Sequence, residues 1–154
     1  MEIKKLITNR KAYYEYAVLD TISAGIQLKG SEIKPIKSSH TSITEAYCYI
    51  NNGEVFIKGM YVGQHEGKIQ NYTHDSTRDR KLLLKKNEIK RLQEKIGEKG
   101  LTLIPLQVFL NEKGLIKILI GLCKGKNVRD KKIAIKEKDL KKDFYKNIQS
   151  SRRD

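Results

Sequence analysis

Residues 102–122 read TLIPLQVFLNEKGLIKILIGL. Thr102 to Leu110 and Leu115 to Leu122 are two apolar runs joined by Asn111-Glu112-Lys113-Gly114, a polar, glycine-ended linker of the kind that closes a hairpin. In the second run Ile116, Ile118, Ile120 and Leu122 recur with period two and so share one face of a strand. Pro105 has no N–H to give to a ladder, which marks an edge or a bulge in the first run.

The segments on either side of this hairpin extend the pattern. Upstream, Asn87 offers an N-cap, Ile89, Leu92 and Ile96 fall at i, i+3 and i+7, and Gly100 suits a left-handed cap, so a helix is expected over 88–99. Residues 43–50 and 54–62 are rich in β-branched and aromatic side chains and flank Asn51-Asn52-Gly53, which predicts a second hairpin. Residues 13–19 and 24–29 read as two further strands, with Ile26 and Leu28 on one face, and a short helix is expected after Gly30. Six short antiparallel strands and two helices imply a mainly β chain with peripheral helices. Its expected architecture is an OB-like six-stranded antiparallel β-barrel.

The barrel is expected over 1–125, with a basic tail over 126–154. From Lys124 to Asp154 there are twelve Lys or Arg against five Asp or Glu, within a net charge of +14 for the 154-residue chain. So basic a segment has too few apolar groups for a core of its own and should order only against a polyanion, of which RNA is the most abundant in a cell. Leu140, Phe144 and Ile148 fall at i, i+4 and i+8, and Glu137 precedes Lys141 by four, so residues 136–148 can become helical on binding.

Other classes are disfavoured. The N-terminus, Met1-Glu2-Ile3-Lys4-Lys5, lacks the apolar stretch of a secretory signal, and no run reaches the length of a membrane span, so a cytosolic protein is expected. Cys48 and Cys123 have no CxxC spacing and read as buried reduced thiols, and no metal or cofactor is expected. His40, His65 and His74 are scattered. His74-Asp75-Ser76 has the residue types of a triad, but such groups come from separate elements, and a polar loop explains it.

Three basic clusters remain as sites. Arg78-Asp79-Arg80-Lys81-Leu82-Leu83-Leu84-Lys85-Lys86 either holds a phosphate backbone or is a solvated loop before the helix. Asn9-Arg10-Lys11-Ala12-Tyr13-Tyr14-Glu15-Tyr16 interleaves cations with tyrosines, which either stack on splayed bases or pack the barrel. On the expected strand Tyr14 and Tyr16 share a face and Tyr13 points the other way. Lys124-Gly125-Lys126-Asn127-Val128-Arg129-Asp130-Lys131-Lys132 opens the tail and matches no nucleotide-binding loop.

Taken in order, Asn9-Arg10-Lys11-Ala12, Ala24-Gly25-Ile26-Gln27-Leu28-Lys29-Gly30-Ser31-Glu32-Ile33-Lys34, Asn51-Asn52-Gly53-Glu54-Val55-Phe56, His74-Asp75 with Arg78 to Leu84, Glu98 to Leu106, Gly121 to Lys126 and Asp130-Lys131-Lys132 resemble the SsrA-binding proteins over nearly the whole chain. The resemblance implies an OB-like barrel that grips the tRNA-like domain of transfer-messenger RNA and a tail that reaches into the small ribosomal subunit, without catalysis by the protein. It implies RNA contacts at Asn9, Arg10, Lys11, Tyr14, Lys81 and Leu83, to which the basic run adds Arg78 and Arg80. For the decoding centre it implies Arg129, Asp130, Lys131 and Lys132, with Lys126 beside them. Tyr14 stands where the family usually has histidine, and Lys132, where arginine is usual, lacks the planar fork. Implied partners are transfer-messenger RNA, small-subunit RNA and the aminoacyl-tRNA elongation factor; separately, nothing in the sequence resembles a dimer seam, so a monomer is expected. Two rival readings are a structural ribosomal or ribosome-assembly protein and an RNA-processing enzyme using His74 and Asp75.

Overall fold

Residues 102–125 form the expected hairpin: β8 (Thr102–Leu110) runs antiparallel to β9 (Ile116–Gly125), with Thr102 opposite Cys123 and Leu110 opposite Ile116. The register shifts between Pro105 and Gln107, so the residue that cannot donate to the ladder sits at a bulge. The computed structural model describes residues 3–64 and 75–126. Before the hairpin come, in order, β1 (Lys4–Thr8), α1 (Arg10–Glu15), β2 (Tyr16–Ile26), α2 (Gly30–Lys37), β3 (Thr41–Ser42), β4 (Tyr47–Asn51), β5 (Glu54–Lys58), β6 (Tyr61–Val62), β7 (Arg80–Leu83) and α3 (Lys86–Lys99).

The main sheet runs β1-β8-β4-β5-β7-β2-β9, and the β8–β9 pairing closes β8, β4, β5, β7, β2 and β9 into a six-stranded ring. The expected antiparallel barrel is therefore present, with β1 added to the edge of β8 and a small β3–β6 sheet beside it. The inward residues Val55, Ile57, Leu82, Ile118 and Ile120 are almost completely excluded from solvent, and Ile36 of α2 with Ile89 and Leu92 of α3 joins that core. A second cluster forms on the opposite face of β8 and β9, where Ala12 of α1 covers Ile104, Leu106 and Cys123. Cys48 and Cys123 are both buried free thiols. Burial pushes Cys48 up and Cys123 up to about 12, which keeps both protonated and unreactive.

Gly121 faces the bulge. A Cβ there would lie 2.7 Å from Leu106 Cδ1 and 3.0 Å from Cys123 Sγ, both inside the second cluster. Gly121→Ala is expected to cost about 1–3 kcal/mol through overpacking, read as a lower urea midpoint. An unchanged midpoint would mean that Leu106 is free to swing away.

Several expectations are corrected by the fold. Residues 13–19 and 24–29 are not two strands: residues 10–15 are α1, and β2 is one eleven-residue strand over 16–26. Tyr13 and Tyr14 consequently lie on a helix, and the strand-face relation with Tyr16 does not hold. The reason is Asn9, whose Oδ1 accepts the Ala12 N–H at 3.1 Å while its amide donates to Ile43 O and Pro105 O, starting a helix where local pattern favours extended chain. The run after Arg78 is not a loop, because Arg80–Leu83 is β7 inside the barrel. The strand expected over 54–62 breaks at Gly59, whose φ is +84°. Helix α3 starts at Lys86, two residues earlier than expected, and its N-cap is Lys85 rather than Asn87, with the Glu88 carboxylate accepting the Lys85 N–H at 2.9 Å. Nine strands and three helices lie among the described residues, against the six and two expected. Residues 65–74, with His65 and His74, and residues 127–154 lie outside the described residues, and so do the expected tail helix and the tail contacts at Arg129, Asp130, Lys131 and Lys132.

Candidate nucleic-acid interface

The Asn52-Gly53 turn, with φ of +52° and +74°, fixes the β4–β5 register: Asn51 pairs Glu54, Tyr49 pairs Phe56 and Tyr47 pairs Lys58. Because Cys48, Val55 and Ile57 point into the core, the alternation forces Tyr47, Tyr49, Phe56 and Lys58 onto the outer face. Across the next ladder Phe56 pairs Lys81, whose neighbour Leu82 is buried, so Lys81 and Leu83 also face outward. The rings of Tyr49 and Phe56 stack with centroids 5.4 Å apart at 22°. Tyr47 lines a small cleft together with Lys11 of α1. A single outer face thus runs from α1 through Tyr47 and the Tyr49–Phe56 pair to Lys81 and Leu83.

This surface unites two of the sequence-derived groups, Lys11 with its α1 neighbours and Lys81 with Leu83. Arg10 and Lys11 are exposed, and Tyr14 is 49% exposed on α1. Leu83 is 48% exposed and packs over Gly25, where an added Cβ would meet Leu83 Cβ at 3.3 Å. Beside it a groove of about 360 Å³ opens between α2 and the β8–β9 turn, walled by Ile33, Leu83 and Leu115, with Lys37 and Lys117 in its lining. Flat aromatic faces next to cations are what stacking on bases and neutralising phosphates require.

Three sequence-derived candidates fall elsewhere. Asn9 is 1% exposed and its side chain is consumed by the α1 cap. Arg80 is fully buried: its Nη2 lies 2.6 Å from Glu32 Oε2, and its Nη1 donates to Met60 O at 2.8 Å. No donor of Arg80 is left at the surface for a phosphate. Arg78, with a side chain 24% exposed, meets the other oxygen of Glu32 at 2.7 Å. Both arginines therefore clamp α2 onto β7, and the expectation of phosphate contacts gives way to a buried ion-pair triad. Lys126, the last described residue, donates its backbone N–H to Glu15 O at 3.1 Å, so the chain leaves the barrel beside α1.

Tyr47, Tyr49 and Phe56 were missed as site residues. Their signal is the turn itself: once Asn52-Gly53 is placed, the pairing sets all three rings on one face by counting.

Comparisons over most of the chain identify its relatives. The family model described as SmpB protein matches residues 6–150. The SsrA-binding protein of Chlorobaculum tepidum is 47% identical over 136 residues, covering 88% of this chain and 86% of that protein. Those of Treponema denticola, at 39% over 146 residues, and Thermosipho africanus, at 39% over 151, cover 95% and 97% of this chain and 94% and 100% of their own lengths. A solved structure described as "tmRNA-SmpB: a journey to the center of the bacterial ribosome" superposes with a TM-score of 0.67 at 38% identity, covering 84% of this chain and 93% of that one.

Proposed function

The chain belongs to the SmpB protein family, and from that premise we propose that it binds the tRNA-like domain of transfer-messenger RNA and delivers it to stalled ribosomes for rescue and peptide tagging. The observation that carries this reading is the cation-flanked aromatic face of β4, β5 and β7, because stacked rings beside cations suit splayed bases and their phosphates. The rigid barrel recognises folded RNA by shape, stacking and phosphates, with Arg10, Lys11, Tyr14, Lys81 and Leu83 as contacts. The tail, with Lys126, Arg129, Asp130, Lys131 and Lys132, probes the decoding centre and the mRNA channel when no message fills it. The role is binding without catalysis, by a cytoplasmic monomer, with the aminoacyl-tRNA elongation factor in the delivery complex. Among the described residues no helix is long and apolar enough to cross a membrane.

The test uses the two outward-facing lysines, Lys11 exposed and Lys81 half-buried. Lys11→Glu with Lys81→Glu is expected to weaken binding of the isolated tRNA-like domain and to flatten its log–log salt dependence by about 0.9 for each phosphate no longer neutralised. An unchanged slope places both lysines away from the RNA.

A further inference from the structure

Both lysines of the proposed RNA face are already occupied by carboxylates. Lys11 Nζ lies 2.6 Å from Glu45 Oε1, and Lys81 Nζ lies 2.5 Å from Glu54 Oε2. Between them the Tyr49 hydroxyl donates to Asp79 Oδ2 at 2.6 Å. Five ion pairs occur among the described residues, and four of them engage cations of the two basic clusters. Those of Glu32 are buried and fixed, but Glu45 and Glu54 are 76% and 46% exposed, and exposed pairs of this kind are weak enough for a phosphate to displace.

We propose that Glu45 and Glu54 are specificity residues: each holds its lysine against indiscriminate polyanions and, once displaced, accepts a hydrogen bond from an RNA donor that only the matching fold presents there. The inference rests on the RNA-binding role proposed above. A phosphate arriving at Lys11 or Lys81 must push aside a carboxylate and then sit beside it, which costs electrostatic energy. A generic strand has nothing to offset that cost. A folded RNA that places a 2′-hydroxyl or an exocyclic amino group opposite the released carboxylate does, since carboxylates accept from both. Such a device suits a chain of net charge +14, whose long-range attraction for any RNA is otherwise unselective.

The experiment compares Glu45→Gln with Glu54→Gln, singly and together, in the full chain, binding either the tRNA-like domain transcript or an unstructured 30-nucleotide RNA of mixed sequence. Glu94→Gln with Glu112→Gln serves as the charge control, since both side chains are exposed and neither makes an ion pair among the described residues. The site variants are expected to tighten binding of the unstructured RNA by up to about 5-fold per position. They are also expected to steepen its log–log salt slope by about 0.7 per lysine freed. Affinity for the tRNA-like domain should stay level or fall, and the control pair should leave the ratio of the two affinities unchanged. Equal tightening for both RNAs, no tightening at all, or the same effect from the control pair would overturn the proposal. If wild-type protein shows no preference for the tRNA-like domain over the unstructured RNA, the functional reading itself fails and takes this inference with it.

Discussion

Glu32→Gln is expected to lower the stability of the fold by about 3–5 kcal/mol, the usual cost of removing one partner from a buried ion pair. Glu32 and Arg80 are both completely buried, and Arg78 closes the triad from the rim. The amide leaves the Arg80 guanidinium charged, dehydrated and without its counter-ion between α2 and β7. Urea denaturation should show the loss as a lower midpoint with an unchanged slope. Burial alone would raise the Glu32 carboxyl, but hydrogen bonds from Arg78, the Lys29 backbone N–H and Arg80 outweigh it and hold the group at about 2, against an ordinary value of 4.5. Because the folded value is depressed, the carboxylate's contribution is complete above pH 4.5 and fades as pH falls toward 2. That amounts to about 3 kcal/mol. Glu32→Gln should therefore also flatten the acid limb of the stability curve in that window; an acid limb as steep as wild type would show that other carboxylates set it.

Removing residues 127–154 is expected to leave binding of the isolated tRNA-like domain nearly intact while abolishing peptide tagging on stalled ribosomes. The proposed RNA face lies wholly within the described barrel, from Lys11 to Leu83, and the ladder from β2 to β9 is complete by Gly125. Only the reach into the ribosome depends on the deleted cations, which add ten Lys or Arg against five acids. Paired assays of RNA affinity and tag addition measure the two halves separately. Equal loss of both would contradict a division between grip and probe.

How much of this was legible in the sequence follows from the range of each cause. The β8–β9 and β4–β5 hairpins were readable because a turn and period-two alternation are local, and Pro105 limited its position to an edge or a bulge, of which the fold uses the bulge. Helix α1 was not, because the Tyr-Tyr-Glu-Tyr-Ala-Val run has strand character. A six-residue helix persists there only through Asn9 and the cover it gives Ile104 and Leu106. The basic run at 78–86 was visible as charge, but charge does not say where it points. Arg80 is buried because Glu32 stands 48 positions earlier, a partnership no local window contains. The aromatic face was recoverable from the Asn52-Gly53 register, since Tyr47, Tyr49 and Phe56 are placed by that turn.

The most direct measurement is photo-crosslinking in cells with p-benzoylphenylalanine placed at Tyr47, Leu83 or, in the β8–β9 turn, Glu112, followed by sequencing of the attached RNA. Positions 47 and 83 should each capture one dominant structured species, transfer-messenger RNA, through its tRNA-like domain, and position 112 should capture little. Capture of that RNA at 112 with none at 47 and 83, or capture of ribosomal RNA alone at all three, would contradict the account.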